Sequence, residues 1–416
     1  MINEKISPVG LGTYRMSVKS KTHINALQEA LKLGCNLLDT SSNYTNGDSE
    51  RLIGNVLENS PYNPLIITKA GYIQGANLEA KEAYQNEELV DIEENLKHSI
   101  HPDFLKHQIE QSLNRLKKKT IDIFLLHNPE YYFEKNDDLT LYYERIKKAF
   151  SFLEEMVEKG KIKSYGISSN TFVQNIESPK RTDLSKVYQA AQQVSSNNHF
   201  KAIQFPINII EKGALNKNFD DKNLIEKAKE YKLITIGNRP FNAFTESGFF
   251  RIAEYDADID ETKANSKLEE CIHILSSKAK ENNIELDILS MPVMKQFIDI
   301  WDELATPDAC QQVYFEHFFP LVAQIWGKSG LNPKESAPFY ELYEYSESFS
   351  RRIMGQKAKI LRRKLEEKNE LPLLPQLSLT QLCIEQYLQW GMDHILVGMK
   401  KTNYVEQLKG YFHEQK

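Results

Sequence analysis

The sequence predicts an α/β protein, a (β/α)8 TIM barrel with an inserted α-helical subdomain between strand seven and its helix. Eight short β-branched runs, each followed by an amphipathic stretch, carry that reading, because parallel strands joined by crossover helices alternate in this way. A long break at 243–374 with helical periodicity of its own marks the insertion. Polar residues at consecutive strand ends are the third observation, since the chemistry of a barrel sits on the loops beyond those ends.

Strands are expected at Val9–Thr13, Asn36–Asp39, Leu65–Lys69, Ile121–Leu126, Lys163–Ser168, Ala202–Pro206, Leu233–Gly237 and Ile395–Gly398. Helices are expected near 21–33, 49–58, 103–117, 142–159, 182–193, 221–231, 378–390 and 402–411. Residues 72–102 read as a polar, irregular loop between the third strand and its helix, and a loop of that length at a barrel mouth is usually functional. The second gap holds helical patterns near 262–282, 293–304, 307–326 and 338–368, after which Pro372 and Pro375 mark the return to the barrel. The expected domains are therefore 1–242 with 375–416 for the barrel, and 243–374 for the helical insertion. A basic stripe from Arg351 to Lys364 reads as a solvated helix face balanced by Glu366 and Glu367.

The 52 Lys+Arg against 58 Asp+Glu give a net charge of −6, which argues against a general affinity for nucleic acid or anionic membrane and leaves a small molecule as the expected partner. Forty Tyr and Phe together, 20 of each, are ample for a sizeable core. Cys35, Cys271, Cys310 and Cys383 lie far apart with no C-x-x-C pair, so free buried thiols are expected rather than a zinc ribbon or a disulfide framework. Met1–Lys5 has no apolar signal core and no run approaches a membrane span; the expectation is a soluble, cytoplasmic protein. No G-x-G-x-x-G and no phosphate-loop lysine motif occurs, so any dinucleotide is cradled by barrel loops instead.

Asp39 and Tyr44 follow the second strand, Lys69 ends the third and His127 follows the fourth. Successive parallel strands are neighbours in a barrel, so the four converge on one mouth. A free phenol has a pKa of about 10 and exchanges protons poorly near neutrality; an adjacent ammonium is expected to lower it, with Lys69 in that role and Asp39 holding Lys69 charged. His127 is placed to hydrogen-bond a substrate oxygen. Such a set suits reduction of a carbonyl, hydride arriving at carbon from a nicotinamide and Tyr44 giving a proton to oxygen.

The stretches Val9–Tyr14, Leu38–Tyr44, Asn46–Gly54, Ile66–Lys69, Ile121–Glu130, Gly160–Asn170, Ala202–Asn208 and Leu396–Lys400 together resemble the aldo-keto reductase family. The resemblance covers about 1–242 and 375–416, with the insertion outside it. It implies that Asp39, Tyr44, Lys69 and His127 are the catalytic tetrad, with Tyr44 as general acid and base. It implies further that Ser168, Ser169, Asn170 and Gln204 hold the nicotinamide carboxamide, and that Gly12, Thr13 and Tyr14 sit where the first strand meets the cofactor. Beyond the last strand, Gly398 is a cofactor contact and Lys400 falls at the basic position that meets an adenosine 2′-phosphate, a role Lys401 can share, so NADPH is favoured over NADH.

The chain departs from the family beyond strand seven, where Asn238 stands in place of a nicotinamide-stacking aromatic and Arg239 is placed to bind the cofactor pyrophosphate or an acidic substrate. Tyr72, Tyr131 and Tyr132, with Phe133, are expected to wall a substrate pocket favouring apolar aldehydes or ketones over sugars. His98, His101 and His107 invite a metal, but His101-Pro102-Asp103 looks like the start of a helix, so no metal is expected and His98 and His101 are assigned to substrate contact. Ser49 reads as an N-cap and Glu50 as a first-turn acid. Two alternatives accompany the enzyme: a cofactor-sensing regulatory subunit, as in reductase-like channel subunits, and an insertion that closes over the active site or forms a homo-oligomer interface.

Overall fold

Each of the eight β-branched runs forms a strand, and every one pairs in parallel with its two neighbours to close a ring. The computed structural model describes residues 6–78, 88–245, 248–254, 259–284, 287–327 and 330–413. In chain order its elements begin with β1 (Val9–Gly12), α1 (Lys21–Lys32), β2 (Leu37–Asp39), α2 (Asp48–Glu58), β3 (Leu65–Ala70), β4 (Tyr72–Ile73), β5 (Val90–Glu93), β6 (Leu96–His98) and α3 (Pro102–Leu116). Next come β7 (Ile121–His127), α4 (Leu139–Glu158), β8 (Ile162–Ser168), α5 (Leu184–Val194), β9 (Phe200–Pro206), α6 (Leu224–Glu230), β10 (Ile234–Asn238), β11 (Asn242–Thr245) and β12 (Gly248–Arg251). The last are α7 (Glu261–Glu281), α8 (Pro292–Ile300), α9 (Pro307–Gln312), α10 (Phe319–Trp326), α11 (Pro333–Glu367), α12 (Leu379–Gln389), β13 (His394–Val397) and α13 (Thr402–Leu408). The ring runs β1-β13-β10-β9-β8-β7-β3-β2.

Leu37, Leu65, Ile67, Ile123, Leu125, Ala202, Ile236 and Leu396 form a buried apolar cluster in the barrel, so it is a packed core and a site belongs at its mouth. Helix starts follow local chemistry: Asp183 caps α5 through Ser185 N and Lys186 N, and Asn223 with Glu226 forms a reciprocal capping box on α6.

Two units are distinguished, Met1–Phe250 with Cys383–Lys416, and Arg251–Leu382. The second has its own apolar core, in which Phe297 stacks on Phe318 and Trp301, Tyr314, Phe339 and Phe349 are buried. All four cysteines are buried and none is in a disulfide.

Several expectations are corrected. Residues 72–102 are not one irregular loop: β5, β6 and β4 form a small antiparallel sheet, with strands too short to show a period of two; residues 79–87 lie outside those described. The pattern at 307–326 is not one helix but α9, a wider turn at Val313–Phe318, and α10, because Pro320 has no N–H to continue the ladder. The helix expected from 338 starts at Pro333, fixed by the Asn332–Glu335 capping box, and carries Pro338 inside it. The two-stranded sheet of β11 and β12 was not anticipated.

Candidate active site

Pairing of β2 with β3 and of β3 with β7 sets Asp39, Lys69 and His127 side by side at the C-terminal mouth. Lys69 is fully buried and its Nζ donates to Asp39 Oδ2 at 2.7 Å and to the Thr40 carbonyl at 2.7 Å. Gln204 Nε2 donates to the other carboxylate oxygen, Asp39 Oδ1, at 2.8 Å. Lys69 Nζ lies 5.1 Å from the centre of the Tyr44 ring. The Tyr44 and His127 rings meet edge to face at 6.1 Å, and His127 Nδ1 is 3.0 Å from Ser41 Oγ.

Tyr44 is held by a turn that costs energy. Thr45, Asn46 and Gly47 follow it with φ of 48°, 56° and 82°, and a β-branched residue in the left-handed region costs on the order of 1–3 kcal/mol. Three contacts hold the turn: Thr45 Oγ1 donates to the Met16 carbonyl at 2.7 Å, Arg51 donates to the Asn46 carbonyl at 3.1 Å, and Arg115 packs so close that a Cβ on Gly47 would meet its Cδ at 2.8 Å. Arg115 is held in turn by Glu50, which accepts from Arg115 Nε at 2.6 Å and from Thr68 Oγ1 at 2.5 Å. Glu50 is a first-turn acid of α2, as expected, and also a fully buried ion-pair partner. Ser49 is not the N-cap, a position Gly47 takes; its hydroxyl lies 2.6 Å from Thr13 Oγ1 and 2.9 Å from Thr40 Oγ1.

The electrostatics revise the acid phenol. Burial, and next the Asp39 charge, push the Tyr44 phenol well above its usual value, so desolvation outweighs the ammonium and Tyr44 stands as a neutral phenol rather than a phenolate. Burial pushes the Asp39 carboxyl up and the Lys69 ammonium down, and their mutual attraction opposes both shifts. Burial, then the Lys69 charge, holds His127 well below the ordinary histidine range, so its ring is neutral.

Residues expected around the cofactor fall into two sets. Ser168 Oγ donates to Gln204 Oε1 at 3.0 Å and Asn238 Nδ2 lies 3.4 Å from the same oxygen, joining both to Asp39 through Gln204. Thr13 is buried and donates to the Asp39 carbonyl at 2.8 Å, Gly12 ends β1, and Tyr14 is exposed with its ring 5.2 Å from Tyr44. Ser169 turns instead to Thr171 and Thr182, and Asn170 is anchored through its backbone N–H to Glu130 at 2.7 Å. Beyond β13, Gly398 is exposed, Lys400 half-buried, and Lys401 the N-cap residue of α13. Arg239, at φ 53°, pairs with Glu211 at 3.4 Å and lies over Phe244. Buried Asn238 Oδ1 and Arg239 Nε have no partner among the described residues, a free acceptor and a free donor that fit a ligand carrying an amide and an anionic group.

The Tyr72 ring meets His127 at 4.7 Å and Tyr131 at 5.3 Å, and its hydroxyl accepts from Asn128 Nδ2 at 2.6 Å. Tyr132 is not part of this wall: it is buried against Phe133, Tyr142 and Arg145. His98 and His101 do not face a substrate either. His98 is fully buried with Nε2 2.7 Å from the His127 carbonyl, and His101 caps α3. Sequence reasoning missed the buried pairing of Glu50 with Arg115, 65 positions away, and Glu130, whose partner Asn170 lies 40 positions away. Among the described residues no group of three or more His, Cys, Asp or Glu side chains is arranged to hold a metal, and no helix is long and apolar enough to cross a membrane.

The fold and the site together define a (β/α)8 barrel with a built polar site at its C-terminal mouth. The chain belongs to the aldo/keto reductase family, whose model matches residues 8–292. An uncharacterized oxidoreductase of Bacillus subtilis, YqkF, is 31% identical over 169 residues, 39% of this chain and 45% of that protein. An NAD(P)H-dependent D-xylose reductase of Kluyveromyces lactis is 28% identical over 185 residues, 40% of this chain and 49% of that one. The chain spans about half the length of the curated relatives it matches. A glycerol dehydrogenase structure from Gluconobacter oxydans shares the fold, with a TM-score of 0.51 at 16% identity over 100% of this chain and 89% of that one.

Proposed function

We propose that the chain is an NADPH-dependent oxidoreductase that reduces a small aldehyde or ketone to the alcohol, with Tyr44 as proton donor. The observation that carries this is the buried Asp39–Lys69 ion pair set 5.1 Å from the Tyr44 ring, beside a neutral His127. Bound NADPH supplies the hydride. Tyr44, a neutral phenol at rest, has the proton that the developing alkoxide needs, and the Lys69 ammonium stabilises the phenolate left behind. Asp39 keeps Lys69 oriented and charged, while His127 hydrogen-bonds the carbonyl oxygen and fixes its approach.

Ser168, Gln204 and Asn238 are suited to the nicotinamide amide, the free Asn238 Oδ1 accepting one of its hydrogens. Arg239, by its free Nε, is assigned to the pyrophosphate, and Lys400 with Lys401 to the 2′-phosphate. Gly12, Thr13, Tyr14, Ser169 and Asn170 shape the rest of the cofactor cleft, and Tyr72 and Tyr131 favour an apolar carbonyl over a sugar. Purified protein is expected to consume NADPH, followed by absorbance, with an activated aromatic aldehyde such as para-nitrobenzaldehyde. Tight NADPH binding with no turnover of any carbonyl contradicts this and favours a second reading, a cofactor-sensing subunit. That second reading draws on the unit Arg251–Leu382, which has its own core.

A further inference from the structure

Ser41 is fully buried on the turn between β2 and Tyr44. Its Oγ lies 2.6 Å from Asn43 Oδ1, 3.0 Å from His127 Nδ1 and 3.2 Å from the Lys69 carbonyl, which also accepts from Ser42 N at 3.0 Å. A hydroxyl has one hydrogen to give, and a neutral imidazole has one N–H and one bare nitrogen. The direction of the Ser41 O–H therefore decides which nitrogen of His127 is the donor. If Ser41 gives its hydrogen to Asn43 Oδ1 or to the Lys69 carbonyl, it accepts from Nδ1–H and Nε2 is left bare. If Ser41 gives it to Nδ1, Nε2 keeps its hydrogen.

A carbonyl oxygen taking up a hydride needs donors, and a bare Nε2 repels it. Reduction therefore requires the Nε2–H form, and a bare, buried Nδ1 requires a donor of its own. Ser41 stands at hydrogen-bond distance to supply it. The two ends of an amide have the same shape, so turning the Asn43 amide over sets its NH2 toward Ser41. The chain then runs from Asn43 Nδ2–H to Ser41 Oγ and from Ser41 O–H to His127 Nδ1. From the neighbouring sheet, buried His98 places Nε2 2.7 Å from the His127 carbonyl, fixing the main chain while Ser41 sets the ring.

We propose that Ser41, backed by Asn43, is a positioning residue that holds His127 as the Nε2–H tautomer, so that this nitrogen donates to the substrate oxygen beside Tyr44; this rests on the reductase reading above. Two variants and one spectrum test it. Ser41→Ala is expected to lower kcat about tenfold while leaving the KM for NADPH unchanged, because the cofactor contacts are elsewhere. Asn43→Asp is expected to do the same, since a carboxylate only accepts and turns the Ser41 hydrogen away from His127. This side chain is half-buried, so Asn43→Asp decides the matter if Ser41→Ala fails to fold. Nitrogen-15 spectra of the ligand-free protein are expected to show His127 with a bare Nδ1 in the wild type and a protonated Nδ1 in Asn43→Asp. A wild-type His127 protonated at Nδ1, or kcat within about twofold of wild type in the variants, overturns the proposal. The spectrum does not depend on turnover, and a failure of the reductase reading has its own mark, equal turnover by wild type and Tyr44→Phe.

Discussion

Replacing Lys69 with methionine removes an ammonium that is fully buried and makes two hydrogen bonds of 2.7 Å, one to Asp39 and one to the Thr40 carbonyl. Asp39 is left in the barrel with Gln204 as its remaining side-chain donor. Breaking a buried pair by deleting one partner costs about 3–5 kcal/mol, because the other charge stays desolvated. The catalytic cost follows from the 5.1 Å between Nζ and the Tyr44 ring centre. At an effective dielectric of about 20, attraction between the ammonium and a negative charge at that distance is about 3 kcal/mol, which is about a hundredfold in rate. Hydrogen exchange of peptides spanning β2 and β3 reads the first quantity, and NADPH turnover the second. The double variant Asp39→Asn with Lys69→Met is expected to recover most of the lost protection, since no charge is stranded, but none of the turnover. A single variant that keeps a third of wild-type turnover, or a double variant no more protected than the single, refutes the reasoning.

Three other predictions follow from the buried charges. Burial pushes the Glu130 carboxyl up to about 7 from 4.5, so between those values the folded protein binds more protons than the unfolded one and stability falls as pH rises, by about 3 kcal/mol. His98, held down to about 4 from 6.5 by burial, has the opposite slope. The diagnostic is therefore the stability gap between Glu130→Gln and wild type, which must widen in the variant's favour from pH 4.5 to 7 and then level; a pH-independent gap contradicts it. Arg115→Leu strands the fully buried Glu50 and frees the turn beneath Tyr44, so a loss of about 3–5 kcal/mol is expected in chemical unfolding, mostly recovered by adding Glu50→Leu; no recovery counts against the ion pair as the cause. Lys400→Ala is expected to weaken NADPH about tenfold more than NADH in fluorescence titrations, and equal weakening of the two removes the phosphate role.

The barrel was legible because each of its strands is a short apolar run, and because the helices between them keep one apolar face. That Asp39, Lys69 and His127 meet at one mouth was legible because they are polar residues at the ends of such runs, Asp39 after Leu37-Leu38 and His127 after Leu125-Leu126. What supports them was not. Glu50 has the sequence setting of an exposed helix-start acid, and only its pairing with Arg115, on a different helix, shows it to be buried. Gln204 lies 165 positions from the Asp39 it orients, and no local pattern reports such a contact. The small sheet holding His98 is built from strands of two to four residues, below the length at which alternation shows. The Asn332-Pro333-Lys334-Glu335 capping box was present as a sequence signal and would have placed the start of α11 correctly. The direction of the Tyr44 shift went the other way because the reading counted the ammonium and not the desolvation that burial imposes.

The central claim is that Tyr44 gives the proton. The measurement that tests it most directly compares wild type with Tyr44→Phe, following NADPH absorbance with para-nitrobenzaldehyde and, in parallel, NADPH binding by fluorescence. The account predicts turnover in the wild type, at least a hundredfold less in the variant, and NADPH affinity nearly the same in both. Equal turnover in the two proteins contradicts it.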